Sequence, residues 1–235
     1  MLELIKYSLH DYVRSHKYFA PISTYIILII VFYTYKPNPI LDSYAVTASM
    51  LYVVSAWLCI SVLALDTPVQ RQLFIKHIGS MNRYYVSKLI SVFFIAIILT
   101  IFTFIYPIIF QMFNDTVTPM IGTVAIINHI VLSILGISIA SLFSNAITDS
   151  AVNSYGGLAL VIVISIASLG IYNILPAYVK YIVWIIPPAI HTHKTLIDWN
   201  GISISELSLF PFIWIILYAL LLIYLFLTLA KRLNK

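Results

Sequence analysis

The chain has 235 residues, of which 62% are hydrophobic and 9% charged, with a mean hydropathy of +1.02 and a formal net charge of +5. A soluble domain carries about 25% charged residues, so this composition excludes a water-facing globule and indicates an integral membrane protein. The single cysteine, Cys59, excludes an intrachain disulfide framework. Basic residues of a membrane protein gather on its cytoplasmic side, so the positive charge does not call for a nucleic-acid partner.

The first seventeen residues, MLELIKYSLHDYVRSHK, have a helical period. Glu3, Lys6, His10, Arg14 and Lys17 share one side, and Leu2, Ile5, Leu9, Tyr12 and Val13 another. This pattern predicts an amphipathic helix lying in the membrane interface, with its basic face towards anionic headgroups. No small-residue cleavage site follows the first apolar run, so that run is expected to be retained.

Charge-free runs bounded by charges, Pro, Asn or Gly give six predicted spans, at 19–35, 43–65, 89–112, 120–143, 155–175 and 207–230. The segment 176–194 is apolar only from Tyr181 to Ile190 and is closed by Pro187 and Pro188. It is therefore read as an outer interfacial or re-entrant segment, with Tyr181 and Trp184 at headgroup level. Seven spans is the alternative count. With six, the side that holds both termini carries Lys6, Arg14, Lys17, Arg71, Lys76, Arg83, Lys88, Lys231, Arg232 and Lys235. The other side holds only Lys36, Lys180 and Lys194. That asymmetry places both termini in the cytoplasm, in a multi-pass protein of the cell membrane. The expected fold is a single all-α membrane domain over 1–235, with six transmembrane helices and an N-terminal interfacial helix.

Between the second and third spans lies DTPVQRQLFIKHIGSMNRYYVSK, residues 66–88, which holds four of the thirteen Lys and Arg residues. Asp66 or Thr67 can cap a helix that has Pro68 in its first position, and Gly79 stops it. The expected product is a short, partly apolar, basic helix on the cytoplasmic side. Its bland role is to satisfy topology. Its functional role is to dock in the groove of a soluble partner.

This order of elements resembles the membrane subunit of bacterial ABC-2 type exporters along nearly the whole chain. Such permeases have an interfacial elbow helix, six spans and a basic loop between the second and third. The loop from Thr67 to Leu89 is similar to theirs: a polar start, a helix, Gly-Ser, then Tyr, Ser and Lys leading into the third span. The resemblance implies that Gln70, Arg71, Leu73, Phe74, Lys76, His77 and Ile78 form the ATPase-coupling helix, with Gly79 and Ser80 as its hinge. It also implies a permease homodimer, a separate ABC ATPase subunit that holds Mg-ATP, and export of a peptide, antimicrobial or lipid-like amphipathic substrate. No long outer loop or large extracellular domain is expected. The chain has no GxxxxGK[ST] segment, so no cofactor is assigned to it.

Other polar residues complete the reading. Asn128 and His129 stand inside the fourth predicted span, either as an interhelical hydrogen-bonding pair or as part of a transport path. Asp149, in the second cytoplasmic loop at 144–154, either caps a helix or makes a second contact with the neighbouring loop or the ATPase. His191 and His193 sit in HTHK, which is read as a polar outer loop, and no metal is assigned to them. Gly136 and Ala140, Gly156 and Gly157, and Ala167 and Gly170 mark small-residue faces for close helix packing. No HExxH and no Ser/His/Asp set is present, so no catalytic residue is assigned. The alternative function is a non-transporting immunity or sensor protein that binds such a compound.

Overall fold

The computed structural model describes residues 1–148, 150–176, 178, 183 and 185–233. The regular elements among these are all helices: α1 (Leu2–Arg14), α2 (Phe19–Phe32), α3 (Ile40–Leu63), α4 (Pro68–Ile78), α5 (Met81–Ile109), α6 (Pro119–Leu142), α7 (Ala151–Ile174), α8 (Ala189–Asp198) and α9 (Phe210–Leu233), with a 3₁₀ turn at Ile204–Glu206. The only β-type pairing among the described residues is one parallel bridge, Asn38 with Phe113.

Local chemistry starts these helices where the sequence punctuates them. Thr67 and Thr118 cap α4 and α6 by accepting from the N–H groups of Gln70 and Ile121, each at 3.3 Å. A proline follows each cap at the first helical position, where its missing N–H costs nothing. Ser80 and Ser150 cap α5 and α7 in the same way, accepting from Arg83 and Asn153.

Among the described residues, five helices are long and apolar enough to cross a membrane: α3, α5, α6, α7 and α9. The pair α1 and α2 supplies a sixth span if it is counted as one element bent by 80°. The first predicted span thus ends sooner than expected, because α2 stops at Phe32 after 14 residues. Conversely, α5 starts at Met81 rather than at Leu89, so the polar stretch ahead of the third predicted span is already helical.

The centre of the bundle is the contact between α3 and α6. Within their apolar windows, 72% of α3 and 61% of α6 are buried, against 28% for α7 and 22% for α9. Helices α7 and α9 therefore present most of their apolar surface outwards, as a lipid-facing helix does. The two central helices run in the same direction, with α5 returning between them in sequence. Three contacts mark their seam at matching depths: Thr47 Oγ1 with His129 Nε2 at 3.1 Å, Ser55 Oγ donating to Ser133 O at 3.2 Å, and Cys59 Sγ to Ile137 O at 3.4 Å. Gly136 lets the backbones meet here. A Cβ on it would collide with the Tyr52 carbonyl oxygen and sit 2.5 Å from Ser55 Oγ. Of the other small residues, Gly157 is covered by the Phe143 ring, while Gly156 and Gly170 face open space.

Helix α1 turns towards the bundle the part of its apolar side that carries Ile5 and Tyr12, joined by Ser8. Ile5, Ser8 and Tyr12 are buried, with the Ile5 carbonyl accepting from Ser91 Oγ of α5 at 3.4 Å, while Leu2 and Val13 are exposed. A turn at 15–18, with His16 at φ 55°, then redirects the chain into α2.

Candidate functional site

The site is built where α3 ends, α4 crosses and α5 begins. α4 carries no buried residue. Thr67 and Gln70 close it at one end with a reciprocal capping box, the Gln70 side chain accepting from Thr67 N at 3.0 Å. Gly79 closes the other end at φ 70°, a conformation that costs a side-chain-bearing residue energy. An exposed helix of 11 residues has little stability in isolation, so its caps and its few packing contacts hold it together.

Those contacts are aromatic and ionic. Phe74 lies between two rings, Tyr7 of α1 at 5.1 Å and Tyr84 of α5 at 6.4 Å between centroids. Tyr84 meets Tyr85 at 5.0 Å, and Tyr85 meets Phe226 of α9 at 5.1 Å. One aromatic chain thus links α4 to α1, α5 and α9. Arg71 donates from a guanidinium nitrogen to the Asn145 carbonyl at 3.3 Å, which ties α4 to the connection between α6 and α7.

Beneath α4, Lys88 and Asp66 form an ion pair at 2.9 Å whose side chains are 2% and 3% exposed. Tyr84 donates its hydroxyl to the same carboxylate oxygen, and the ammonium lies 5.8 Å from the Tyr84 ring centre. Among the described residues, Lys88 Nζ has no well-aligned acceptor besides this ionic contact. Asp66 follows α3 and Lys88 belongs to α5, so the pair clamps the two helices that α4 connects.

The eight residues assigned to coupling occupy two faces. Gln70, Leu73, Lys76, His77 and Gly79 are exposed, whereas Arg71, Phe74 and Ile78 are half-buried against the bundle. Gln70, Leu73, Phe74, Lys76 and His77 line a shallow groove of about 690 Å³. Val69, two-thirds exposed and four residues before Leu73, extends its apolar edge. Asp149 lies outside the described residues, as do Lys180, Tyr181 and Trp184.

Asn128 and His129 are both sealed inside the bundle. His129 Nδ1 lies 2.8 Å from the Ala125 carbonyl, which can only accept, so this nitrogen carries the proton. In the neutral ring Nε2 then accepts from the Thr47 hydroxyl. Asn128 has no partner for its amide oxygen or nitrogen among the described residues.

The sequence HTHK proves to be helical rather than a loop, as part of α8. α8 inserts Ala189, Thr192 and Leu196 into the bundle, and His193 Nδ1 approaches Ser49 Oγ of α3 at 3.4 Å. Burial pushes both His191 and His193 below the usual histidine value. Lys194 lowers His191 further, while the Ala45 carbonyl and Asp42 partly offset the burial of His193. No group of three metal-ligating side chains occurs among the described residues.

At the end of the bundle opposite α4, the end of α5, the start of α6 and the connection between them enclose a cleft of about 830 Å³. Its buried and half-buried lining is apolar: Phe104, Pro107, Phe113, Val117 and Ile126. Its exposed lining is mostly polar: Gln111, Asn114, Asp115, Thr116, Thr118 and Thr123. Backbone bonds fix this wall, Asn38 N to Met112 O at 3.0 Å and Asn114 N to Asn38 O at 3.1 Å.

Comparison with known protein families, with curated proteins and with solved structures finds no match.

Proposed function

We propose that this chain is the permease subunit of an ATP-driven exporter in the cell membrane, moving a peptide, antimicrobial or lipid-like amphipath outwards. The observation that supports this reading is the mounting of α4. It is an exposed helix whose two ends continue into α3 and α5, and those two helices are clamped beneath it by the buried pair Asp66–Lys88. A push on Val69, Leu73 and their neighbours is transmitted to two spanning helices as one unit. The basic residues Arg71, Lys76, Arg83, Lys88, Lys231 and Arg232 share this end, which the positive-inside bias makes cytoplasmic. In this reading α1 is the interfacial elbow, two permease copies pair, and a separate ABC ATPase binds Mg-ATP and seats α4 in a groove.

The test is affinity purification from detergent after coexpression with the neighbouring genes, comparing wild type with Leu73→Asp and Arg71→Glu. Leu73 is exposed, so its replacement leaves the bundle intact. Copurification of an ATPase with the wild type, and its loss with Leu73→Asp, is the expected result. A well-folded wild type that captures no ATPase removes the exporter reading.

One observation favours the alternative, an immunity or sensor protein that binds without moving its ligand. Asn128 and His129, adjacent in α6, are fully buried within the single chain. In the exporter reading the path runs between two copies instead.

A further inference from the structure

We propose that the cleft between α5 and α6 binds a cationic amphipathic peptide, with Asp115 taking an ammonium or guanidinium group and the apolar floor around Phe104 and Ile126 taking a neighbouring apolar side chain. This deepens the exporter reading by naming its substrate class, and it rests on that reading for the idea that the peptide is transported.

The cleft's volume, about 830 Å³, lies in the range of sites that enclose a ligand the size of a few residues. Its walls are set before any ligand arrives, because the backbone bonds through Asn38 pin the connection between α5 and α6. The buried and half-buried lining is apolar and the exposed lining mostly polar, which suits an amphipathic occupant. Among the described residues, Asp115 is the only charged one in that lining, and it forms no ion pair there. No Lys or Arg among the described residues lines the cleft. Lys36, on the adjoining connection, instead donates to the Phe110 carbonyl at 3.2 Å. A phospholipid would thus bring a phosphate with no cation to meet it, whereas a peptide cation meets a free carboxylate. The amide and hydroxyl groups of Gln111, Asn114 and Thr123 supply both donors and acceptors, which match a peptide backbone.

The test uses the full chain alone in phosphatidylcholine nanodiscs, titrated with a short dansylated peptide alternating leucine and lysine, and with its glutamine-for-lysine analogue. Asp115→Asn should weaken the lysine peptide about tenfold, the worth of one charge-assisted contact, and leave the glutamine analogue unchanged. Thr123→Trp, which fills the cleft, should weaken both peptides. Unchanged unfolding midpoints show that the exposed substitutions spare the fold. Equal affinity of wild type and Asp115→Asn for the lysine peptide overturns the proposal. So does native mass spectrometry in which phosphatidylethanolamine is retained by the wild type and lost from Asp115→Asn while peptide affinity stays the same, since the cleft is then a lipid site. Because no ATPase is present, failure here leaves the exporter reading standing. Peptide binding without any captured ATPase supports this site and leaves the sensor alternative.

Discussion

Asp66 and Lys88, twenty-two positions apart in sequence, meet at 2.9 Å in a setting almost without solvent. A buried pair gains little over a well-packed apolar pair, but breaking it strands one charge. Lys88→Met or Asp66→Leu alone should therefore cost about 3–5 kcal/mol. The double replacement should recover most of that loss. Thermal unfolding of the four proteins in one detergent checks this, and equal losses in the single and double variants would refute a mutual interaction.

Gly136 marks the closest approach of α3 and α6. Gly136→Ala drives its methyl group against Ser55 Oγ and into the Tyr52 carbonyl, a backbone group that cannot yield without moving a helix. Overpacking of this kind costs about 1–3 kcal/mol. Gly156→Ala is the control, since nothing lies within 4 Å of a Cβ there. The first variant should unfold at a clearly lower temperature than the second.

The histidines of α8 make stability depend on pH. Both have folded-state values below the ordinary one, chiefly through burial. The unfolded chain therefore binds protons first as the pH falls through about 6.5, and stability declines from there towards the lower folded-state values. Above that range the histidines contribute no pH dependence. His191→Gln with His193→Gln should make the unfolding midpoint fall less steeply between about pH 7 and 5. The groups facing His193 are Ser49, the Ala45 carbonyl and Asp42, and Lys194 acts on His191.

Gly79 holds the end of α4 in the left-handed region. Gly79→Ala has room for its methyl group, so its cost is conformational, about 1 kcal/mol. Because α4 is exposed, that cost should appear as faster hydrogen exchange over 68–78 and leave the bundle's melting unchanged. A uniform change across the bundle would contradict the separation of α4 from the core.

What could be read from sequence was local. Thr67, Pro68 and Gly79 announce α4 because caps act within one helical turn, and the long apolar runs mark the spanning helices because lipid demands them. Pairings across the fold were hidden. Asp66 read as a helix cap and Lys88 as a topology charge, since neither carries a local sign of the other. His129 gave no hint of Thr47, because contact between non-consecutive parallel helices follows from bundle topology. α8 did leave a signal that was missed: Pro188 before it and the spacing of Ala189, Thr192 and Leu196 fit one helical face. The two histidines drew attention to polarity instead.

The brevity of α2 has a consequence for the surrounding bilayer. Fourteen helical residues rise about 21 Å, roughly 9 Å less than a typical hydrocarbon core. The sharp turn at 15–18 prevents α1 from making up the difference along the same axis. Counted as the sixth span, α2 would leave a hydrophobic mismatch at this corner, to be met by thinning of the lipid or by a second short helix. Reconstitution in phosphatidylcholines of graded acyl length should therefore give the highest unfolding temperature in thinner bilayers, and the protein should sort towards them.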